Sequence, residues 1–86
     1  EKKEDVFFRD QVIEEETYRI LVSAIGKLPE QTRKVMLLAL EGNDNKEIAA
    51  CLNIADGTVH SLKKIAYKRL REELKEYFYL LLALVG

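Results

Sequence analysis

The sequence predicts a small all-α domain of four helices, and three observations carry that expectation. Apolar residues recur at spacings of three and four along most of the 86 residues, and strand signals are nearly absent. Stop and start signals fall between these runs: Gly26 with Pro29, Gly42 with Asp44, and Asn53 with Asp56. Apolar residues make up 48% of the chain, enough for one core in a length that fits one domain.

Tyr18, Leu21, Val22, Ile25 and Leu28 place one apolar stripe on a first helix over roughly 11–27. Gly26 and Pro29 end it, because proline disfavours helical geometry at the residue before it. Pro29 then stands just before the first turn of a second helix, Glu30–Glu41. Its Val35–Leu40 segment is apolar on all sides, which demands burial among other helices. Gly42 is the natural stop, since glycine enters the left-handed region at little cost. Asp44 opens a short third helix as a capping box with Glu47, and Ile48, Ala49 and Leu52 face inward before Asn53 stops it. A fourth helix starts near Asp56 with Val59, Leu62, Ala66, Leu70 and Leu74 as its stripe. Neither proline nor glycine interrupts residues 58–85, so this helix is expected to run into the apolar tail. Residues 1–10 read as the end of an interdomain linker and 11–86 as the domain.

Composition removes several function classes. A single cysteine, Cys51, excludes an internal disulfide framework and suits a reducing compartment. With His60, the one histidine, it gives at most two soft metal ligands, so neither a metal nor another cofactor is expected. No stretch approaches the ~20 apolar residues of a membrane span. The start at Glu1 without a leader pattern suggests an excised fragment of a cytoplasmic protein. His60 lacks a neighbouring nucleophile, and no catalytic set appears, so an enzyme is not expected.

The net charge of −1 hides an asymmetry. Residues 1–45 carry seven basic and ten acidic side chains, whereas residues 46–75 carry seven basic and four acidic ones. A basic C-terminal half points to a polyanionic partner.

Two helices joined by three or four residues, the first short and capped, form a helix-turn-helix. Ala49 is small enough for the two backbones to approach there, Ile54 plugs the turn, and Val59 anchors the second helix. The outward positions are then Gly57, Thr58, His60, Ser61, Lys64 and Lys68, small, polar or basic as a surface entering a major groove requires. The fold class expected is therefore a small four-helix, all-α domain containing a helix-turn-helix, with a long C-terminal recognition helix.

Leu28-Pro29-x-x-x-Arg33-x-Val35, Glu41-Gly42, Glu47-Ile48-Ala49-x-x-Leu52-x-Ile54-x-x-Gly57-Thr58-Val59, then Ala66 and Leu70, together resemble region 4 of sigma-70 family factors. The compact form in extracytoplasmic-function sigma factors is most similar, over roughly 10–75. The resemblance implies binding of double-stranded promoter DNA at the −35 element and docking on the β flap of core RNA polymerase. Ser61 and Lys64, followed by His60, are then the candidates for base edges. Lys46, Thr58 and Lys68 are candidates for phosphates. Arg33 joins the phosphate contacts or pairs with Glu30 or Glu14.

The chain departs from the family pattern at several positions. Ala55 stands where the family usually has a capping serine, so Asp56 is expected to take over the cap. Asn43 replaces an apolar residue, and His60 and Leu62 stand where arginines are common. Two alternatives follow: a LuxR-type response-regulator output domain, sharing the Ile48–Leu70 pattern, and a helical protein-interaction module that no longer binds DNA. Cys51 is expected to fill a semi-buried gap, and Tyr67 to pack between helices.

Tyr77–Val85 is a run of nine apolar residues that must be covered. Either Phe78, Leu81 and Leu82 fold back on Val6-Phe7-Phe8 or the first helix, or the run meets a second copy, an anti-sigma factor, or the region-2 domain that the resemblance implies at the other end of the linker. The core surface already claimed by Val35–Leu40 favours the intermolecular alternative.

Overall fold

The computed structural model describes residues 15–85. Among them are α1 (Glu15–Gly26), α2 (Glu30–Leu40), α3 (Asn45–Leu52), α4 (Asp56–Leu74), a 3-10 turn over Lys75–Tyr77, and α5 (Phe78–Val85). The four expected helices are present. The proposed linker, the Val6-Phe7-Phe8 cluster and Glu14 lie outside the described residues.

Local chemistry sets each boundary. After α1, the N–H groups of Lys27 and Leu28 return to the carbonyls of Ala24 and Ile25, and Pro29, extended at φ −55° and ψ 154°, precedes α2. Gly42 ends α2 at φ 104°, where a β-carbon would be strained. Its N–H donates to Ala39 and that of Asn43 to Leu38, the paired bonds of a Schellman turn. The Asn43 side-chain amide adds a third closing bond, 2.9 Å to the Leu38 carbonyl, which an apolar residue there would lack. At α3 the capping box is complete: Asp44 N–H donates to Glu47 Oε1 at 2.7 Å and Glu47 N–H to Asp44 Oδ1 at 2.8 Å. Asn53 then turns the chain through the left-handed region (φ 58°, ψ 49°).

The core has two parts. The larger gathers Leu21, Ala24, Ile25 and Leu28 of α1 and its exit, Met36 and Leu40 of α2, Ala66, Leu70 and Leu74 of α4, and Phe78, Leu81 and Leu84 of α5. The smaller holds Val35 and Ala39 of α2, Ile48 and Ala49 of α3, and Val59 of α4. Helix α2 lies between them and gives one face to each. An ion pair of 2.8 Å, Lys27 to Glu73, ties the end of α1 to the end of α4 and holds the Glu73 carboxyl below its ordinary range.

Sequence expectations give way here at the tail and at Cys51. The fourth helix does not run through the tail: Lys75 adopts φ 54° and ψ −120°, and the chain turns back. Such a backbone costs on the order of 1–3 kcal/mol. Continued straight, the tail would project about 16 Å beyond Leu74, at ~1.5 Å per residue. Turned back, it buries Phe78, Leu81 and Leu84, each worth ~1.5–3 kcal/mol. Burial wins. The tail's apolar stripe packs on the core of the domain, with Leu84 rather than Leu82 in the buried set. Tyr67 meets the Phe78 ring edge-on at 6.1 Å, and the Arg71 guanidinium lies 5.5 Å from that ring's centre. Tyr67 therefore packs between helices as expected, and burial raises its phenol above the ordinary tyrosine range. Cys51, by contrast, is exposed and fills no gap, because the inward positions of α3 belong to Ile48 and Ala49.

Leu81 is fully buried, whereas Tyr79 is 74% exposed. Leu81→Ala should therefore lower unfolding free energy by ~2–5 kcal/mol, and Tyr79→Ala by less than about 0.5 kcal/mol, as read by urea denaturation. Equal effects from the two would contradict the seating of α5 on the core.

Candidate nucleic-acid interface

The interface is built outward from the joint between α3 and α4. Ala49 and Val59 are buried together with Ile48, Val35 and Ala39, and Ile54 packs against this group from the turn. The N–H groups of Asn53 and Ile54 both return to the Ala49 carbonyl, so the turn is fixed by backbone bonds at the residue where the helices cross. With no β-branch or long side chain at Ala49, α3 and α4 approach closely. This contact set seats the first turns of α4, and Ala66, Leu70 and Leu74 seat the rest of it on the bundle.

Ala55 precedes α4 in extended geometry (φ −75°, ψ 152°), and its carbonyl accepts from the N–H groups of Thr58 and Val59. No side chain caps the helix. Asp56 does not take over that role, because it is already the first helical residue and its carboxylate lies past the cap position. It instead places a negative charge in the first turn, where the helix dipole favours it.

Val59 anchors the inner side of α4, and the outer side is left to solvent. Gly57, Thr58, His60, Ser61, Lys64 and Lys68 are all exposed. Spacings of four, three and four put Gly57, Ser61, Lys64 and Lys68 on one line along the helix, with Thr58 and His60 on opposite flanks. A shallow groove lined by Ser61, Lys64, Ile65, Tyr67, Lys68 and Arg71 runs along this side. Lys46 is exposed in the first turn of α3, on the other arm of the motif. Arg33 stands apart on α2, half-buried, with its guanidinium 3.5 Å from the Leu28 carbonyl. It does not pair with Glu30, whose carboxylate holds Lys34 at 3.3 Å one helical turn on.

Three residues of this surface escape a reading of periodicity alone. Ile65 is 49% exposed beside the basic line, so the surface is not purely polar. Arg71 adds a guanidinium at its far end. Lys63 is turned inward: burial pushes its ammonium below the ordinary lysine range, and only the Asp44 carboxylate pulls the other way. Among the described residues, no three His, Cys, Asp or Glu side chains gather as metal ligands would.

This arrangement presents cations and small polar groups on a helix projecting from a rigid joint, which is chemistry for a polyanion with a groove. The chain matches the family of sigma-70, region 4, over residues 18–70, more than half its length. It belongs to that family. The match takes in α1 and α2 as well as the helix-turn-helix, whereas the resemblance to response-regulator output domains rests on Ile48–Leu70 alone. No curated protein and no solved structure matches the chain. Region 4 is a DNA-binding regulatory domain rather than a catalytic family. Among the described residues, no helix is long and apolar enough to cross a membrane.

Ala49 is 5% exposed and has no room to grow. Ala49→Leu should cost ~1–3 kcal/mol by overpacking. Because the added bulk tilts α4, DNA affinity should fall further than the unfolded fraction explains, measured by parallel calorimetry and fluorescence anisotropy. Asp44→Ala removes one half of the capping box and should cost about 0.5–2 kcal/mol without that extra loss of affinity.

Proposed function

We propose that this domain binds the −35 element of promoter DNA as region 4 of an alternative sigma factor of the extracytoplasmic-function type. One observation carries the reading. A sigma-70 region 4 chain holds Gly57, Ser61, Lys64 and Lys68 in an exposed line on α4, on the side opposite a fully buried Val59. Gly57 and Ser61 leave space for the backbone to approach base edges, and Lys64 is long enough to reach them. Ser61 and Lys64 are the base-edge residues, with His60 on the flank. Lys46, Thr58 and Lys68 hold phosphates on either side and set the register. Arg33 belongs to the phosphate set at most through its free donors, because its guanidinium is already directed to the Leu28 carbonyl.

Docking on the β flap of core RNA polymerase, control by an anti-sigma factor, and a cytoplasmic site of action belong to the same proposal. With lysines rather than arginines along the line, contacts are point charges without the bidentate fork that reads guanine. Polymerase docking then supplies affinity that the DNA contacts alone lack. A protein-interaction module that has abandoned DNA is the competing account, and duplex binding separates the two.

Lys64→Ala should weaken binding of the preferred duplex by ~1–3 kcal/mol and relax preference at one base pair. Lys68→Ala should weaken all duplexes alike and reduce the salt slope by about one. Both are measured by anisotropy titrations at several salt concentrations, with core polymerase present and absent. No duplex binding in either condition would leave the interaction module as the function.

A further inference from the structure

We propose that two copies of this chain pair by exchanging α5, with α4 and α5 straightened through Lys75 into one helix. This goes beyond promoter recognition and rests on the geometry of the bend. Lys75 and Asn53 are the non-glycine residues with positive φ among the described residues. Asn53 sits at ψ 49°, where asparagine is tolerated, but Lys75 sits at ψ −120°, a region that side chains with a β-carbon avoid. The connection is only three residues long, Lys75–Tyr77. A short hinge under strain is the recognised setting for exchange of an element between copies.

The sequence on both sides favours the straight form. From Thr58 to Val85 there is neither glycine nor proline. Leu70, Leu74, Phe78, Leu81 and Val85 continue a spacing of four, four, three and four across the bend, so the apolar stripe of α4 stays in phase through α5. Straightening removes the strain and forms the helical hydrogen bonds now missing at the bend. It also lifts Phe78, Leu81 and Leu84 off Met36, Leu40 and Leu70, leaving an apolar seat. The occupant fitting that seat is the same face of a second copy, which restores every contact, including the edge-on meeting of Tyr67 with Phe78 and the Arg71 guanidinium over the Phe78 ring. Exchange thus trades two strained hinges for the entropy of association, and it rises with concentration.

Ring contacts identify the exchanged form. In one straight helix Tyr67 and Phe78 are eleven residues, about 16 Å, apart and cannot touch. Contact between them in a dimer is therefore between copies. The experiment mixes full-length chain carrying labelled tyrosine with chain carrying labelled phenylalanine and records isotope-filtered NOEs between Tyr67 and Phe78, beside light scattering over a concentration series. A dimer showing these NOEs is expected. Lys75→Gly accommodates the bend and weakens the straight helix, so it should raise the dimer dissociation constant by about a hundredfold or more and raise the monomer's melting temperature. Lys75→Ala keeps the β-carbon and the helix preference, and should remain dimeric. A chain that stays monomeric to ~1 mM, a dimer without these NOEs, or a Lys75→Gly variant as dimeric as its parent would each overturn the proposal.

Discussion

The structure depends on α2 serving as a wall shared by two cores. Met36 and Leu40, one turn apart, face the bundle of α1, α4 and α5, while Val35 and Ala39, displaced by one residue, face the α3–α4 joint. Neighbouring residues on a helix point about 100° apart, so two pairs at a spacing of four give two adjoining faces. Neither core would suffice alone in so short a chain, since small domains bury only ~60% of the surface their unfolded chains expose. Sharing one helix lets the five buried residues at the joint draw rigidity from the twelve in the bundle. The reading surface stands on the smaller core, and the larger one holds it still.

Helix α4 makes the same division along its length. Its first half contributes Val59 to the joint and leaves its outer line exposed, while its second half contributes Ala66, Leu70 and Leu74 to the bundle. The basic side chains follow suit. Lys64 and Lys68 are exposed, Lys63 is partly buried, and Arg71 is engaged with the Phe78 ring. Adjacent lysines in sequence thus do different work, since a single step around the helix moves an ammonium from solvent to a half-buried site.

Most of the fold was legible because its signals are local. The capping box at Asp44, the left-handed turn at Gly42 and the stop at Asn53 each need only residues within one turn. The joint was legible too: Ala49, Ile54 and Val59 lie within eleven positions and carry demands of size that single side chains meet or fail. The bend at Lys75 was not. The stripe stays in phase across it, and no glycine or proline marks it, so periodicity reads as one continuous helix. What bends the chain is burial on Met36 and Leu40, residues far away in sequence, whose free seat is visible only once α1 and α2 are packed. The inward turn of Lys63 and the exposure of Cys51 were hidden for a related reason. Both depend on which neighbours already occupy the inner face.

The tail therefore belongs to the mechanism of the recognition surface as well as to stability. Val85, at the end of α5, packs against the joint core, although the rest of the helix belongs to the bundle. It is a point where the C-terminal segment reaches the cluster that seats the first turns of α4. Displacing α5 removes apolar support from that small group directly, and from α2 through Met36 and Leu40. A packed interior is nearly incompressible and passes strain to its neighbours rather than absorbing it. Loss of the seat therefore weakens the support behind the first turns of α4. Whatever seats α5, its own chain or an exchanged copy, completes the joint from behind while leaving Gly57, Ser61, Lys64 and Lys68 free in front. Occupancy of the seat and access to the reading surface are thus compatible, because they lie on opposite sides of the same helix.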